Sequence, residues 1–189
     1  MVTVLEKETI RKQLLEKLLS LTSSEVERRS KNVERNLQKI SDFINAKYIM
    51  VYYPLKGEVD LLGMVRKILN EKVICFPFIN GRDLLPYQVK DLGEDFMIGP
   101  FAVKQPKPRE ERQCALQALD VVLVPGIAFD REYHRLGRGA GYYDRFLKKL
   151  SAKTKKIGIS FDFQVLETLP HQSSQDENVD VVVTDTFSI

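Results

Sequence analysis

Residues 135–147, RLGRGAGYYDRFL, place Gly137, Gly139 and Gly141 beside two arginines, Arg135 and Arg138, and follow them with Tyr142, Tyr143 and Asp144. Glycines at alternate positions admit positive φ and let backbone N–H groups approach an anion closely. Guanidinium groups beside them add charge-assisted hydrogen bonds to the same anion. Tyr143, Phe146, Leu147 and Leu150 then recur at helical spacing, so a helix starting near Gly141 turns its positive end toward the loop. The chemistry this pattern predicts is polyphosphate binding. The G-x-x-x-x-G-K-[ST] signature is absent, and the third glycine follows too soon for G-x-G-x-x-G, with no acid placed for a ribose. On these residues alone, a tight turn with surface arginines is the competing reading.

The elements that must hold this loop are written in the apolar pattern. Ile10, Leu14, Leu18 and Leu21 trace one face of a helix from about Leu5 to Leu21. Thr22-Ser-Ser-Glu25 forms a capping box before a second helix carrying Val26, Val33, Leu37, Ile40 and Ile44. Five apolar runs follow, at 48–54, 72–79, 118–126, 155–161 and 179–185, with a short helix around Leu61 to Leu69. Continuous runs separated largely by helical pattern predict a mostly parallel sheet covered on both faces, an α/β fold. The Gly- and Pro-rich stretch 80–112 reads as a hairpin and a long loop at the sheet rim. GIAFDREYH (126–134) reads as a loop after the third run, so the glycines fall beyond the carboxyl end of a strand, where ligands of open α/β sheets bind. No repeat or linker divides the chain, and residues 1–189 are expected to form one domain.

Composition narrows the function. The 29 Lys+Arg against 26 Asp+Glu leave a formal charge of +3, too small and dispersed to imply nucleic acid. Cys75 and Cys114 show no paired spacing and read as two buried thiols in a reducing compartment. His134 and His171 offer no zinc pattern. No stretch approaches the roughly 18 apolar residues of a membrane span, and the N-terminal MVTVLEKETIRKQ lacks a signal-peptide core. A cytoplasmic protein without membrane or nucleic-acid partners is expected.

The run VPGIAFDREYHRLGRGAGYYDRFL closely resembles the signature of the 5-formyltetrahydrofolate cyclo-ligases, also called methenyltetrahydrofolate synthetases. Lys7-x-x-x-Arg11, Gly57-Glu58-Val-Asp60 and an acidic segment containing Asp176 and Asp180 agree with that family in chain order. The resemblance implies a three-layer sandwich similar to ribose-5-phosphate isomerase. It also implies a ligase of folate one-carbon metabolism: ATP- and Mg2+-dependent cyclisation of 5-formyltetrahydrofolate to 5,10-methenyltetrahydrofolate with release of ADP and phosphate. A monomer is expected. A formamide oxygen leaves poorly, so it must become a phosphate ester before N10 attacks the carbon; the enzyme's task is positioning and charge neutralisation at the γ-phosphate.

Carried over residue by residue, the resemblance assigns ATP to Lys7, Arg11, Arg135, Leu136, Gly137, Arg138, Gly139, Ala140, Gly141, Tyr142 and Tyr143. It assigns folate to Tyr53, Glu58, Arg138, Gly139 and Tyr142, makes Arg138 the catalytic group at the transferred phosphoryl, and gives Mg2+ to Asp144 and Asp176. Asp180 and Asp185 compete with Asp176, since QDENVDVVVTD is easily misaligned. Ala140 departs from the family's glycine or lysine, and Gln105 stands where many members have glutamate. His134 reads as a loop donor rather than a general base. Two other readings use the same loop: a sugar-phosphate isomerase or transferase on this fold, and a noncatalytic nucleotide- or RNA-binding module.

Overall fold

The computed structural model describes residues 2–170 and 176–189, with side chains from Leu5 onward; His171 lies outside the described residues. In chain order the elements are helices α1 (Val2–Ser20), α2 (Ser23–Leu37) and α3 (Ser41–Asn45), strand β1 (Tyr48–Met50), helix α4 (Leu62–Ile68), and strands β2 (Val73–Asn80), β3 (Asp83–Gln88), β4 (Phe96–Ile98), β5 (Lys104–Pro106), β6 (Val121–Pro125), β7 (Ala128–Asp130) and β8 (Arg135–Leu136). Helix α5 (Tyr142–Leu147) and strands β9 (Lys155–Ile159), β10 (Val165–Leu166) and β11 (Val181–Val183) complete the chain. Six strands form the central sheet in the order β11-β9-β6-β1-β2-β3. All neighbours are parallel except the β2–β3 hairpin at one edge. Among the described residues, no helix is long and apolar enough to cross a membrane.

The continuous apolar runs resolve into two alternating faces, as the two-residue period of a strand requires. Ile49 of β1, Ile74 and Phe76 of β2, Leu123 of β6 and Ile157 of β9 pack into one core with Leu14 and Leu18 of α1, Val33 and Leu37 of α2, and Met64 and Val65 of α4. Their sequence neighbours Met50, Cys75, Val122 and Val124 join Val182 of β11 and Phe146 and Leu147 of α5 in the opposite core. Two helical layers on one sheet give the three-layer α/β sandwich the sequence predicts.

Three local expectations need correction. The second helix does not run through Ile44. It ends at Leu37, where Gln38 caps it, and Ile40 takes extended dihedrals before α3. Restarting the helix turns Phe43 inward and leaves Ile44 exposed. Residues 126–134 are not a plain loop either. Strands β7 and β8 pair as a hairpin, and β10 adds to β7 as a third strand. Its turn lacks glycine; Tyr133 adopts a positive φ of 67°, held by the fully buried Asp130 carboxylate, which accepts the backbone N–H groups of Glu132, His134 and Leu169. His134 places Nδ1 2.9 Å from the same carboxylate, a structural partner inside this turn. Finally, the stretch 80–112 holds two hairpins, β2–β3 and β4–β5.

The second of these hairpins is anchored by Asp95. Its Oδ2 accepts the backbone N–H groups of Lys90 and Asp91 at 2.8 and 2.9 Å, and its Oδ1 meets Arg112 Nη1 at 2.6 Å. Burial works against this charge, but the guanidinium and the two N–H groups outweigh it and hold the carboxyl at about 2. A lowered carboxylate pKa stabilises the fold fully above the ordinary aspartate value, and the contribution is lost as pH falls toward 2. We therefore expect Asp95→Ala to cost about 3 kcal/mol at neutral pH. In urea unfolding, the gap between wild type and variant should shrink between about pH 4 and pH 2. A gap unchanged across that window would contradict this role.

Candidate active site

The β7–β8 hairpin carries the chain from the end of β6 back over the carboxyl edge of the sheet, so residues 137–141 land beside a cleft of about 940 Å³. Every residue that the sequence reading assigns to ATP, folate or metal lies on the wall of this cleft: Lys7, Arg11, Tyr53, Glu58, the whole run Arg135 to Asp144, and Asp176. Asp180 and Asp185 do not. Asp180 binds the Lys156 backbone N–H at the foot of β9, and Asp185 pairs with Arg29 at 2.7 Å, so Asp176 alone of the three faces the cleft.

Within the loop the glycines serve different purposes. Gly139 and Gly141 have φ of 103° and 68°, the left-handed region that disfavours a side chain. A Cβ on Gly139 would meet nothing within 4 Å, so it would project into open space. The expectation of positive φ fails at Gly137. That residue is small because a Cβ there would come within 2.7 Å of Arg135 Nη1. Ala140 fits without strain, and its carbonyl accepts both terminal nitrogens of Arg145 at 3.2 Å. Arg145 also reaches the Arg82 carbonyl, while the Tyr142 hydroxyl donates to Gly81. These bonds tie the loop to the tip of the β2–β3 hairpin.

The two loop arginines divide their work. Arg135 is 5% exposed; its Nη2 lies 2.5 Å from Asp144 Oδ1, and its guanidinium lies 5.7 Å from the centre of the Tyr143 ring. It forms a charged floor under the loop and orients Asp144. Arg135 Nε and the Tyr143 hydroxyl have no hydrogen-bond partner within the described structure, an unusual pair of buried polar atoms at one spot. Burial, and next the Glu58 charge, push the Tyr143 phenol up, so it stays neutral. Leu136, also on the cleft wall, is packed in the core.

Arg138, by contrast, stretches across the cleft. Its Nη2 and Nε meet Glu58 Oε1 at 2.7 and 3.2 Å. Glu58 is held by the turn after β1, where Oε2 accepts the Leu55 N–H at 3.0 Å. Gly57 makes that turn possible: its φ is 83°, and any Cβ would collide with the Leu18 carbonyl of α1. From α1, Arg11 Nε donates to the Gly137 carbonyl at 2.9 Å, and Lys7 pairs with Asp176 at 2.9 Å. One turn of α1 thus lies against both the glycine loop and the segment before β11.

Aromatic rings line the opposite side. Tyr53 packs edge-on against Phe96, with the Lys104 ammonium 5.3 Å from its ring centre. Phe101, 75% exposed and with a positive φ of 59°, stands 6.4 Å from Tyr142 across the mouth. Sequence reasoning did not single out Phe101, Lys104, Arg145 or Lys148, all of which line the cleft. The cue for Phe101 was available: an aromatic residue in a Gly-Pro stretch with no apolar periodicity around it. Gln105, left without a role, is a buried wall residue whose side-chain oxygen accepts the Ile79 N–H at 3.1 Å.

Asp144 and Asp176 supply two carboxylates to the cleft, each beside a cation. Among the described residues, no group of three or more His, Cys, Asp or Glu side chains is arranged to enclose a metal. Two hard-oxygen donors beside a glycine-arginine loop fit the chemistry of Mg2+, which takes one or two carboxylates and completes its shell with phosphate and water.

The chain matches a known protein family and solved structures. A model described as the 5-formyltetrahydrofolate cyclo-ligase family matches residues 4–185. The chain is similar to the 5-formyltetrahydrofolate cyclo-ligase of Mycoplasma pneumoniae, 27% identical over 185 residues covering 96% of this chain and 99% of that protein. It superposes on the NMR structure of Aquifex aeolicus 5,10-methenyltetrahydrofolate synthetase with a TM-score of 0.85 at 37% identity, covering 96% of this chain and 91% of that one. A solved 5,10-methenyltetrahydrofolate synthetase from Mycoplasma pneumoniae shares the fold at a TM-score of 0.74 and 22% identity, covering 95% of this chain and 99% of that one.

Proposed function

The chain belongs to the 5-formyltetrahydrofolate cyclo-ligase family, an ATP-dependent ligase converting 5-formyltetrahydrofolate to 5,10-methenyltetrahydrofolate, and from that premise we propose how its cleft performs the reaction. The triphosphate lies along Gly137–Gly141, and the pterin lies toward Glu58 and Tyr53. The observation that carries this reading is the Arg138–Glu58 ion pair, which spans the cleft from the phosphate-binding loop to the opposite wall. When both substrates enter, Glu58 exchanges the guanidinium for pterin N–H donors, and Arg138 turns to the γ-phosphate as it passes to the formyl oxygen. The partial exposure of Arg138, 42% of its side chain, leaves it room to turn.

Phosphorylation of the formyl oxygen makes it a leaving group; N10 then attacks the carbon and phosphate departs. Arg138, once turned from Glu58, offsets charge on the transferring oxygens, as do the loop N–H groups, which are fixed in place before the substrates arrive. Arg11 and Lys7 approach the triphosphate from α1. Arg135 is a positioning residue, buried under the loop and acting through Asp144. Asp144 and Asp176 would hold Mg2+, which when bound neutralises charge on the phosphate oxygens. Tyr53, Tyr142 and Phe101 offer flat walls to the pterin and its benzoyl extension. Two thiols with no disulfide between them accord with a cytoplasmic setting.

Mixing the protein with MgATP and 5-formyltetrahydrofolate should produce the near-ultraviolet absorbance of the methenyl product, with one ADP per product. Product forming equally well without ATP would overturn the proposal. Gly139→Ala offers a sharper test of the loop. A side chain at φ of 103° strains the backbone by about 1–3 kcal/mol, and its Cβ enters the space assigned to phosphate. The expected result is a modest fall in melting temperature with a large rise in the KM for ATP; an unchanged KM would place the triphosphate elsewhere.

A further inference from the structure

Cys75 and Cys114 are the two cysteines of the chain, and the fold brings them together, contrary to what their spacing suggests. Cys75 sits in β2 with its side chain in the core on the α5 face. After the turn at Glu110–Arg112, Gln113 bridges Tyr87, and the Cys114 N–H donates to the Pro86 carbonyl at 2.9 Å. This contact sets the Cys114 Sγ 2.8 Å from that of Cys75, while Cys114 itself stays only half-buried. Two sulfurs so placed need to close by under about 1 Å to reach the roughly 2.05 Å of a covalent bond.

We propose that this pair is an oxidation site at which hydrogen peroxide converts the two thiols into an intramolecular disulfide. Cys114 is the attacking group. It is the more exposed of the two, and the Cys75 S–H bond to its sulfur favours its thiolate, which lowers its pKa; the Gln88 backbone acts in the same direction. The Cys114 thiolate attacks one peroxide oxygen, the O–O bond breaks, and the departing hydroxide takes a proton to become water, leaving a sulfenic acid. The Cys75 sulfur then attacks the sulfenic sulfur. The S–S bond forms, the S–O bond breaks, and the hydroxyl leaves with the Cys75 proton as a second water. Two thiols are thereby oxidised and one peroxide reduced to two waters.

The bond closes a covalent loop containing β3, β4 and β5, together with the cleft residues Phe101, Val103 and Lys104. Constraining that loop in the unfolded chain raises the melting temperature of the oxidised protein. Neither cysteine lines the cleft, so the proposal stands apart from the assignment of substrates.

The test treats reduced, folded protein with hydrogen peroxide near neutral pH, followed by intact-mass measurement and digestion. The expected result is loss of two hydrogens without gain of oxygen, a linked peptide pair containing residues 75 and 114, and a melting temperature that rises and then returns with dithiothreitol. In Cys75→Ser, Cys114 should stop at an oxygen adduct trapped by a sulfenic-acid reagent. Should that variant not fold, the wild-type mass and the count of alkylatable thiols in denaturant decide alone. Two thiols still alkylatable, or oxygen gained with no linkage, would overturn the proposal.

Discussion

Arg138→Ala is expected to lower turnover by about two to three orders of magnitude while leaving the fold intact. The two halves of that expectation come from different observations. Arg138 is partly exposed, and its ion pair with Glu58 crosses the cleft rather than a core, so its removal alters stability by about 1 kcal/mol or less. The same side chain extends from the glycine loop to the Glu58 wall, where we place the formyl group, and on that reading charge that develops on the transferring oxygens has no equivalent partner after truncation. Loss of an interaction made mainly in the transition state lowers kcat and kcat/KM together. Arg138→Lys should recover only part of the loss, since an ammonium lacks the two-pronged geometry. A variant with wild-type kcat would remove Arg138 from the reaction.

Asp144→Asn is expected to raise the Mg2+ concentration needed for half-maximal activity by at least tenfold, with a smaller loss of stability. Removal even of groups that only orient a metal ligand costs about 10–100-fold in metal affinity, and here the ligand itself loses its charge. Stability is affected because Arg135 is buried and Asp144 is its carboxylate partner. Asparagine retains an oxygen that can accept from Arg135 Nη2, so the buried guanidinium keeps one hydrogen bond but not its counter-charge; the cost should be about 1.5–3 kcal/mol. Alanine would leave the guanidinium without either and cost about 3–5 kcal/mol. A metal titration and a melting curve on the same sample separate the two roles. An unchanged titration with lowered stability would leave Asp144 a purely structural partner of Arg135.

The contrast between Arg138 and Arg135 illustrates what the sequence could convey. Apolar runs flanked by helical periodicity predicted the parallel sheet, and the position of the glycine run after the third apolar run put it at the carboxyl edge, because both signals are local. Nothing local distinguishes the two arginines. Arg135 is the first residue of β8, a strand the sequence does not announce because the turn before it uses a buried aspartate and a strained tyrosine instead of glycine. Lys7 and Arg11 reached the site only through the family resemblance: their partners Asp176 and Gly137 are 169 and 126 positions away. The thiol pair is hidden for the same reason, since it depends on how the segment after Arg112 crosses β3. Phe101 could have been flagged as an aromatic residue in a Gly-Pro stretch, but its place at the cleft mouth follows from consecutive positive φ values at Phe101 and Ala102 that neither residue type announces.

The proposal that the γ-phosphate moves to the formyl oxygen within this cleft has a direct isotopic test. With the formyl oxygen of 5-formyltetrahydrofolate labelled with 18O, a single turnover in ordinary water with MgATP should yield inorganic phosphate carrying the label and methenyl product carrying none. Label appearing in water with unlabelled phosphate would mean that the oxygen leaves without accepting a phosphoryl group, and would contradict the role given to Arg138 and the glycine loop.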